Sequence, residues 1–310
     1  MNLSSMDYFT VLARERSFTK AAQQLHITQQ SLSAHIAALE QELGTPLVVR
    51  KVPLELTYAG TVFLRYANDI QHDLNTMRQE FCDITRNQRG LLRIGVALTR
   101  GHTILPPLVC AFQQQYPNIS IELTEGANET LYRKLLNGET DLAIANFSPG
   151  LPGIELRDFH SEEVVLLISR TLLSKLYGNR TDTILAQLDR GDLSALNRCP
   201  FLKGNPGDIS SHIGQSVLQA ASLRPEISAA SGNMETLLSL CALGAGACFC
   251  PESIARAALS PEQMESLHII RLGAQARYTI RFGHLKQSYQ WNILSEFMRI
   301  ALENFPLREL

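Results

Sequence analysis

A chain of 310 residues has room for two or three domains, and 45% apolar with 19% charged residues is the mixture of a globular protein, not a disordered one. The opening MNLSSMDYFTVLARERS lacks the basic start and long apolar core of an export signal, and no apolar run reaches bilayer length, so the expected setting is the cytoplasm. The net charge is −2, and within residues 1–60 five basic side chains face five acidic ones; bulk attraction to phosphate is excluded.

The first predicted element is a helix over about 6–14, with Phe9, Leu12 and Ala13 on one face and Ser4 or Ser5 as cap. A second helix spans about 18–25, capped by Ser17, with Ala21, Ala22 and Leu25 turned inward. The third starts after Thr28 and places Leu32, Ile36, Leu39 and Leu43 on its inner face before Gly44 stops it. Its first turn carries glutamines and serines, which compete with the backbone for hydrogen bonds and are poor choices for packing alone. TPLVVRKVPLELTYAG then reads as a short hairpin or wing interrupted by Pro53. From Ala59 to about Asn87 runs a helix of about 40 Å. Its apolar stripe of Phe63, Tyr66, Ile70, Leu74, Met77, Phe81 and Ile84 has no neighbour in so small a domain and calls for a partner helix, most simply that of a second subunit.

From Gly90 the texture changes to α/β. GLLRIGVAL, ISIELTEG and TDLAIANF are strands separated by a helix opened at Pro106 and Pro107 and by the helix ETLYRKLLNGE. The same grammar follows in EEVVLLIS, PFLK, SHIGQSVLQAAS, EISAAS, NMETLLSLCALG and AGACFCPES. The strands LHIIRL and YTIRFGHL and the amphipathic helix YQWNILSEFMRIALENF close the chain. The six cysteines have neither metal-site nor disulfide spacing and read as buried thiols, and Cys248 and Cys250 share a strand face as packing residues. No G-x-S-x-G, H-E-x-x-H, P-loop or dinucleotide fingerprint is present; neither catalysis, a metal nor a cofactor is expected.

The succession FTKAAQQLHITQQSLSAHIAALEQELGTPLVVR, LTYAG, a long helix and LLRIGV resembles the LysR-type transcriptional regulators. The resemblance continues through ILPPLVCAFQQQYPNISIELTEG, LLNGETDLAIANF and METLLSLCALGAGACFCPES, covering essentially the whole chain. It implies an α/β protein with an N-terminal winged helix-turn-helix (1–60), a linker and dimerisation helix (61–89), and a two-lobed effector domain similar to periplasmic solute-binding proteins (90–310). Lobe I is expected over 90–162 and 268–310 and lobe II over 163–267. The implied protein is a homodimer or homotetramer that binds double-stranded promoter DNA, responds to a small-molecule effector, has RNA polymerase as a further partner and does not engage membranes.

A recognition helix presents its first turns to base edges. Gln29, Gln30, Ser33, Ala34 and His35 lie on the outer face of the third helix, and glutamine offers adenine a donor and an acceptor together. Thr19, Lys20, Thr28, Ser31, Arg50 and Lys51 are the candidates for the backbone contacts around them. The family usually has proline where Gln30 stands, more basic residues near Ala34 and His35, and a more basic wing; so few cations make specific occupancy depend on linking half-sites through the long helix.

For the effector, the segment after the first strand of the α/β region offers Thr99, Arg100, Gly101, His102 and Thr103. Helix-start amides, hydroxyls and a cation suit an anionic group. Thr99 is carried over from the family's effector site, whereas Arg100 is read from its chemistry, with a structural arginine between lobes as the alternative. Asn146 and Phe147 end another strand, and Lys203, Gly204 and Asn205 end a strand of the second lobe. The competing reading is a small-molecule binding protein or enzyme with an accessory N-terminal domain.

Overall fold

Four helix signals near the amino terminus become four helices, each with a physical start and stop. In the computed structural model, which describes residues 2–84, 89–97, 100–287 and 289–305 and follows His102 and Thr103 along the backbone only, these are α1 (Leu3–Glu15), α2 (Phe18–Gln24), α3 (Gln29–Leu43) and α4 (Tyr58–Ile84). The Asn2 side chain caps α1 by accepting from Ser5 N, where Ser4 or Ser5 was expected; a serine inside the first turn cannot cap it. Ser17 and Thr28 cap α2 and α3 as their spacing predicts, and Gly44, at φ 67°, ends α3. Strands β1 (Val48–Val49) and β2 (Glu55–Leu56) pair as the wing.

Phe9, Leu12, Ala21, Ala22, Leu32, Ile36 and Leu39 close the core of this head. Leu43 does not join them: at 41% exposure the last turn of α3 lies beyond the buried cluster. Two backbone devices fix the wing. Glu40 Oε1 accepts from Leu47 N at 2.7 Å and from Val48 N at 3.2 Å. Thr57 donates to Pro46 O and receives Gly60 N at the start of α4, where a Cβ on Gly60 would stand 2.0 Å from Leu47 O. Only glycine lets α4 pass the wing so closely.

The chain divides into two compact units, residues 1–87 with 136–139 and residues 88–135 with 140–310. In the second, β3 (Gly90–Ala97), α5 (Gly101–Gln115), β4 (Ile119–Gly126), α6 (Asn128–Leu136) and β5 (Leu142–Ala145) alternate, and β3 pairs in parallel with both β4 and β5. Helix α5 starts five residues before Pro106; both prolines face solvent in its second turn instead of opening it.

Strand β6 (Ile154–Ser169) is twice as long as EEVVLLIS. After it come α7 (Arg170–Tyr177), α8 (Thr181–Asp189), β7 (Phe201–Lys203), α9 (Ile209–Ala220), β8 (Ile227–Ala230), α10 (Met234–Ala242) and β9 (Cys248–Pro251). The chain then passes through α11 (Glu252–Ala258), α12 (Pro261–Ser266), β10 (Leu267–Arg271), β11 (Arg277–Leu285) and α13 (Asn292–Asn304). The main sheet has the order β10-β6-β11-β5-β3-β4, with β9 also on β6, and β7 pairs in parallel with β8.

Lobe I closes around Leu92, Ile94, Phe112, Phe159, Phe282 and Phe297. Lobe II closes on the two faces of the second half of β6, around Leu166 and Phe201 on one side and Leu167 and Leu238 on the other. The return to lobe I comes later than residue 268. β10 pairs with Val165–Ser169, and Ile270 and Leu272 belong to the lobe II core, so the crossing lies between β10 and β11.

Cys199, Cys241, Cys248 and Cys250 are buried as expected, but Cys110 is exposed on α5 and Cys82 partly so. Burial pushes the Cys199 thiol up to about 12.

Candidate functional site

The head concentrates its chemistry on α3. With Leu32, Ile36 and Leu39 buried, geometry turns Gln29, Gln30, Ala34 and His35 to the exterior, with Ser33 half-exposed beside them. Thr19 Oγ1 at the start of α2 donates to Gln29 Oε1 at 3.2 Å. Gln29 is thereby oriented, keeping both Nε2 hydrogens and the second Oε1 lone pair for a partner. His35 stacks edge-on against Tyr8 of α1, with ring centroids 5.0 Å apart. Thr28 and Ser31 are spent locally, since the Thr28 hydroxyl receives Ser31 N at 3.1 Å. His26, at φ 54°, makes the turn between α2 and α3.

Cations are few and mostly compensated. Arg50 reaches Ser33 Oγ at 3.5 Å and Glu40 at 3.7 Å and lies over the Phe18 ring; Lys51 pairs with Glu55 at 2.7 Å. Both basic side chains are 52% exposed, and pairs in water exchange cheaply for phosphate. Lys20 is exposed and has no ion-pair partner among the described residues.

On α4, the two halves of the predicted stripe have different fates. Phe63 packs edge-on against Phe9 at 5.0 Å and Ala67 is buried, so Phe63 belongs to the head's own core and leaves the dimerisation set. Tyr66, Met77, Phe81 and Ile84 are 47–68% exposed, with Ile70 and Leu74 partly covered.

In the second unit the carboxyl ends of β5, β3 and β4 lie side by side, and α5 and α6 start directly after β3 and β4. This edge is where open α/β sheets bind ligands. Asn128, at the start of α6, donates to Asn146 O at 3.1 Å and ties two of these ends together. A Cβ on Gly101 would lie 2.3 Å from Glu125 Oε1, so a carboxylate already rests against the first turn of α5. Glu125 and Asn128 carry no motif and were missed; their placement follows from strand order, which no local signal encodes. Thr99 lies outside the described residues, as do the side chains of His102 and Thr103.

Arg100 is not a ligand-facing cation. At 2% exposure its guanidinium lies 3.0 Å from Glu162 Oε2 and 2.7 Å from the Tyr278 hydroxyl. Glu162 also accepts from Ser253 of lobe II at 3.1 Å and from Tyr278. Burial opposes the charge on both partners, but mutual attraction wins: the Arg100 pKa is raised and the Glu162 pKa lowered. The cation is held by residues of both crossing strands, 62 and 178 positions away, and serves as the interlobe structural arginine. Burial raises the Asp208 pKa at the start of α9, and the positive charges of Arg100 and His212 oppose that rise.

Phe147 is likewise not a ligand residue. It is 2% exposed in a core with Leu131 and Leu135, and a Cβ on Gly283 would meet its ring at 2.8 Å. Asn205 Oδ1 accepts from Gly207 N at 3.0 Å, a turn-forming bond, while Lys203 is exposed and Gly204 lies against Ser211. Among the described residues no group of three or more histidine, cysteine or acidic side chains is placed to hold a metal ion, and no helix is long and apolar enough to cross a membrane.

Residues 3–61 match the model of the bacterial regulatory helix-turn-helix protein of the lysR family, and residues 85–306 match the LysR substrate binding domain. The chain belongs to the LysR family. Among LysR relatives, the transcriptional activator IlvY of Salmonella typhimurium is 29% identical over 255 residues, covering 82% of this chain and 83% of that one. The regulator CzcR of Bacillus subtilis is 30% identical over 254 residues, covering 82% and 81%. Full-length CbnR, solved in complex with its target DNA, superimposes with TM-score 0.62 at 25% identity, covering 98% of this chain and 99% of that one. Full-length OxyR C199D from Pseudomonas aeruginosa shares the fold, with TM-score 0.70 at 21% identity over 99% and 96%. The protein is a LysR-type transcriptional regulator: a DNA-binding head on an α/β domain that binds a small-molecule effector.

Proposed function

We propose that this regulator reads promoter sequence with Gln29, Gln30, Ser33, Ala34 and His35 of α3, and anchors to phosphate through Thr19, Lys20, Arg50, Lys51 and the starts of α2 and α3. The observation that carries this reading is the split of α3 into a buried Leu32, Ile36, Leu39 face and an opposite face of side-chain amides and an imidazole. With five cations against five acids in residues 1–60, specific occupancy comes from two or more heads acting together. The exposed run from Tyr66 to Ile84 on α4 supplies the dimer contact. Residues 1–60, 61–89 and 90–310 act as head, linker and effector domain, with the protein working in the cytoplasm, as a non-enzyme, beside RNA polymerase.

The effector binds between the lobes, at the carboxyl ends of β3, β4 and β5, against Asn146, Thr99, Gly101, His102 and Thr103 and the lobe II loop of Lys203, Gly204 and Asn205. Closing or opening of the lobes then repositions the heads. Selection from a random DNA pool by the full-length protein tests the DNA reading. Wild type is expected to enrich a two-fold symmetric site, and Gln29→Ala with Ser33→Ala to lose affinity for it while ligand binding by the second unit survives. A double variant selecting the same site with unchanged affinity overturns the assignment.

A further inference from the structure

Lobe II contains a depression of about 310 Å³ beneath α9, at the small end of the range for small-molecule sites. We propose that it is a ligand subsite in its own right, taking a small carboxylate with a compact apolar body. The inference deepens the effector reading above and rests on this unit being the ligand-binding one.

Phe201, Leu202 and Phe249 form an apolar floor, and Leu218 and Ile227 continue it outward. Its back wall exists because residue 214 is glycine: a Cβ there would stand 2.5 Å from the Phe249 ring, so no other residue lets the ring lie against α9. Four polar side chains converge over this floor: Lys203, Ser210, Ser211 and Gln215. Ser210 is only 3% exposed, and no described residue hydrogen-bonds its hydroxyl. Its hydroxyl, on the wall of the cavity, is a donor for a ligand acceptor. Gly204 keeps the way to Ser211 open, since a Cβ there would lie 3.1 Å from Ser211 Oγ.

Charge selects the ligand class. Lys203 is the one charged side chain among the described lining residues, and it has no ion-pair partner among the described residues. The start of α9 adds the positive end of a helix dipole. Asp208, which caps that helix with its backbone alone, is not among the lining residues and senses Arg100 and His212. An ammonium group, two hydroxyls and an amide suit a carboxylate head, and the aromatic floor suits its body.

Calorimetry and thermal shift on the full-length protein test this, with benzoate and isovalerate as probes and benzamide and benzylamine as neutral and cationic controls, all at millimolar concentration. At least one carboxylate is expected to bind and raise the Tm, with both controls inert. Lys203→Gln is expected to weaken that carboxylate by about tenfold or more, Ser210→Ala to weaken it severalfold, and Lys203→Arg to retain binding. The proposal is overturned if neither carboxylate binds, if benzamide binds equally, or if Lys203→Gln leaves affinity unchanged. Hydrogen-exchange protection of β8 and α9 that rises with protein concentration alone overturns it too, since a second copy would then cover the depression. Promoter binding by Lys203→Gln without carboxylate is measured in parallel. Its retention separates a failure of this subsite from a failure of the DNA-binding assignment.

Discussion

Arg100 and Glu162 form a buried ion pair at the crossing between the lobes, with Nη2 and Oε2 3.0 Å apart and both side chains under 5% exposed. Removing one partner strands the other's charge away from water. Arg100→Met is therefore expected to destabilise the second unit by about 3–5 kcal/mol in urea unfolding, and adding Glu162→Gln to recover part of that loss. A cost near zero for Arg100→Met would show that the charge is not held as described.

The same pair sets an acid limit. Burial alone would raise the Glu162 pKa, but Arg100 and the hydroxyls of Tyr278 and Ser253 hold it below the ordinary value. Its stabilisation is thus fully present above the unfolded-state pKa of about 4.3 and is lost as pH falls through the lower folded value. Thermal unfolding from pH 6 to 3 is expected to show this loss in wild type and a flatter profile in Glu162→Gln.

Specificity and anchoring are separable on the head. Gln29→Ala is expected to cost about 1–3 kcal/mol of discrimination at one base pair. Lys20→Ala is expected to weaken all sequences alike and lower the salt slope by about one. Fluorescence anisotropy on specific and scrambled duplexes over a salt series distinguishes the two.

Leu74→Glu or Met77→Glu places a charge on the exposed part of α4, where Met77 is 47% exposed. Sedimentation velocity is expected to show dissociation toward monomer. Unchanged mass would mean that the stripe makes no contact between copies.

Cysteine reactivity is expected to follow exposure. Cys110 should react first with a disulfide reagent, whereas Cys199, with its thiol raised to about 12 by burial, should wait with Cys241, Cys248 and Cys250 for unfolding. Peptide mapping after timed alkylation checks the order.

Much of the head was legible because its signals are local. Ser17, Thr28 and Gly44 announce helix boundaries within three or four residues of their effect, and the inward spacing of Leu32, Ile36 and Leu39 needs no distant partner. Gly60 is visible in LTYAG, but its reason, the carbonyl of Leu47, is not. The effector domain was legible as strands and helices, far less so as a site. Arg100 looks like an anion ligand beside Thr99 and Gly101 until Glu162 and Tyr278 arrive from across the fold. Phe147 follows a buried strand into the core instead of the cleft, and Glu125 reaches Gly101 only because β4 lies next to β3.

Glu40 has one further consequence. Its carboxylate grips the first two amides of the wing from within the recognition helix itself, so helix and wing have no independent degree of freedom at that joint. On the proposed DNA reading the head is one stiff die, with the outer face of α3 and the wing pre-aligned at that joint. Under the proposed function, a signal from the ligand domain has nothing to loosen at that joint and would act on the spacing and angle at which two such dies are pressed onto the same stretch of DNA.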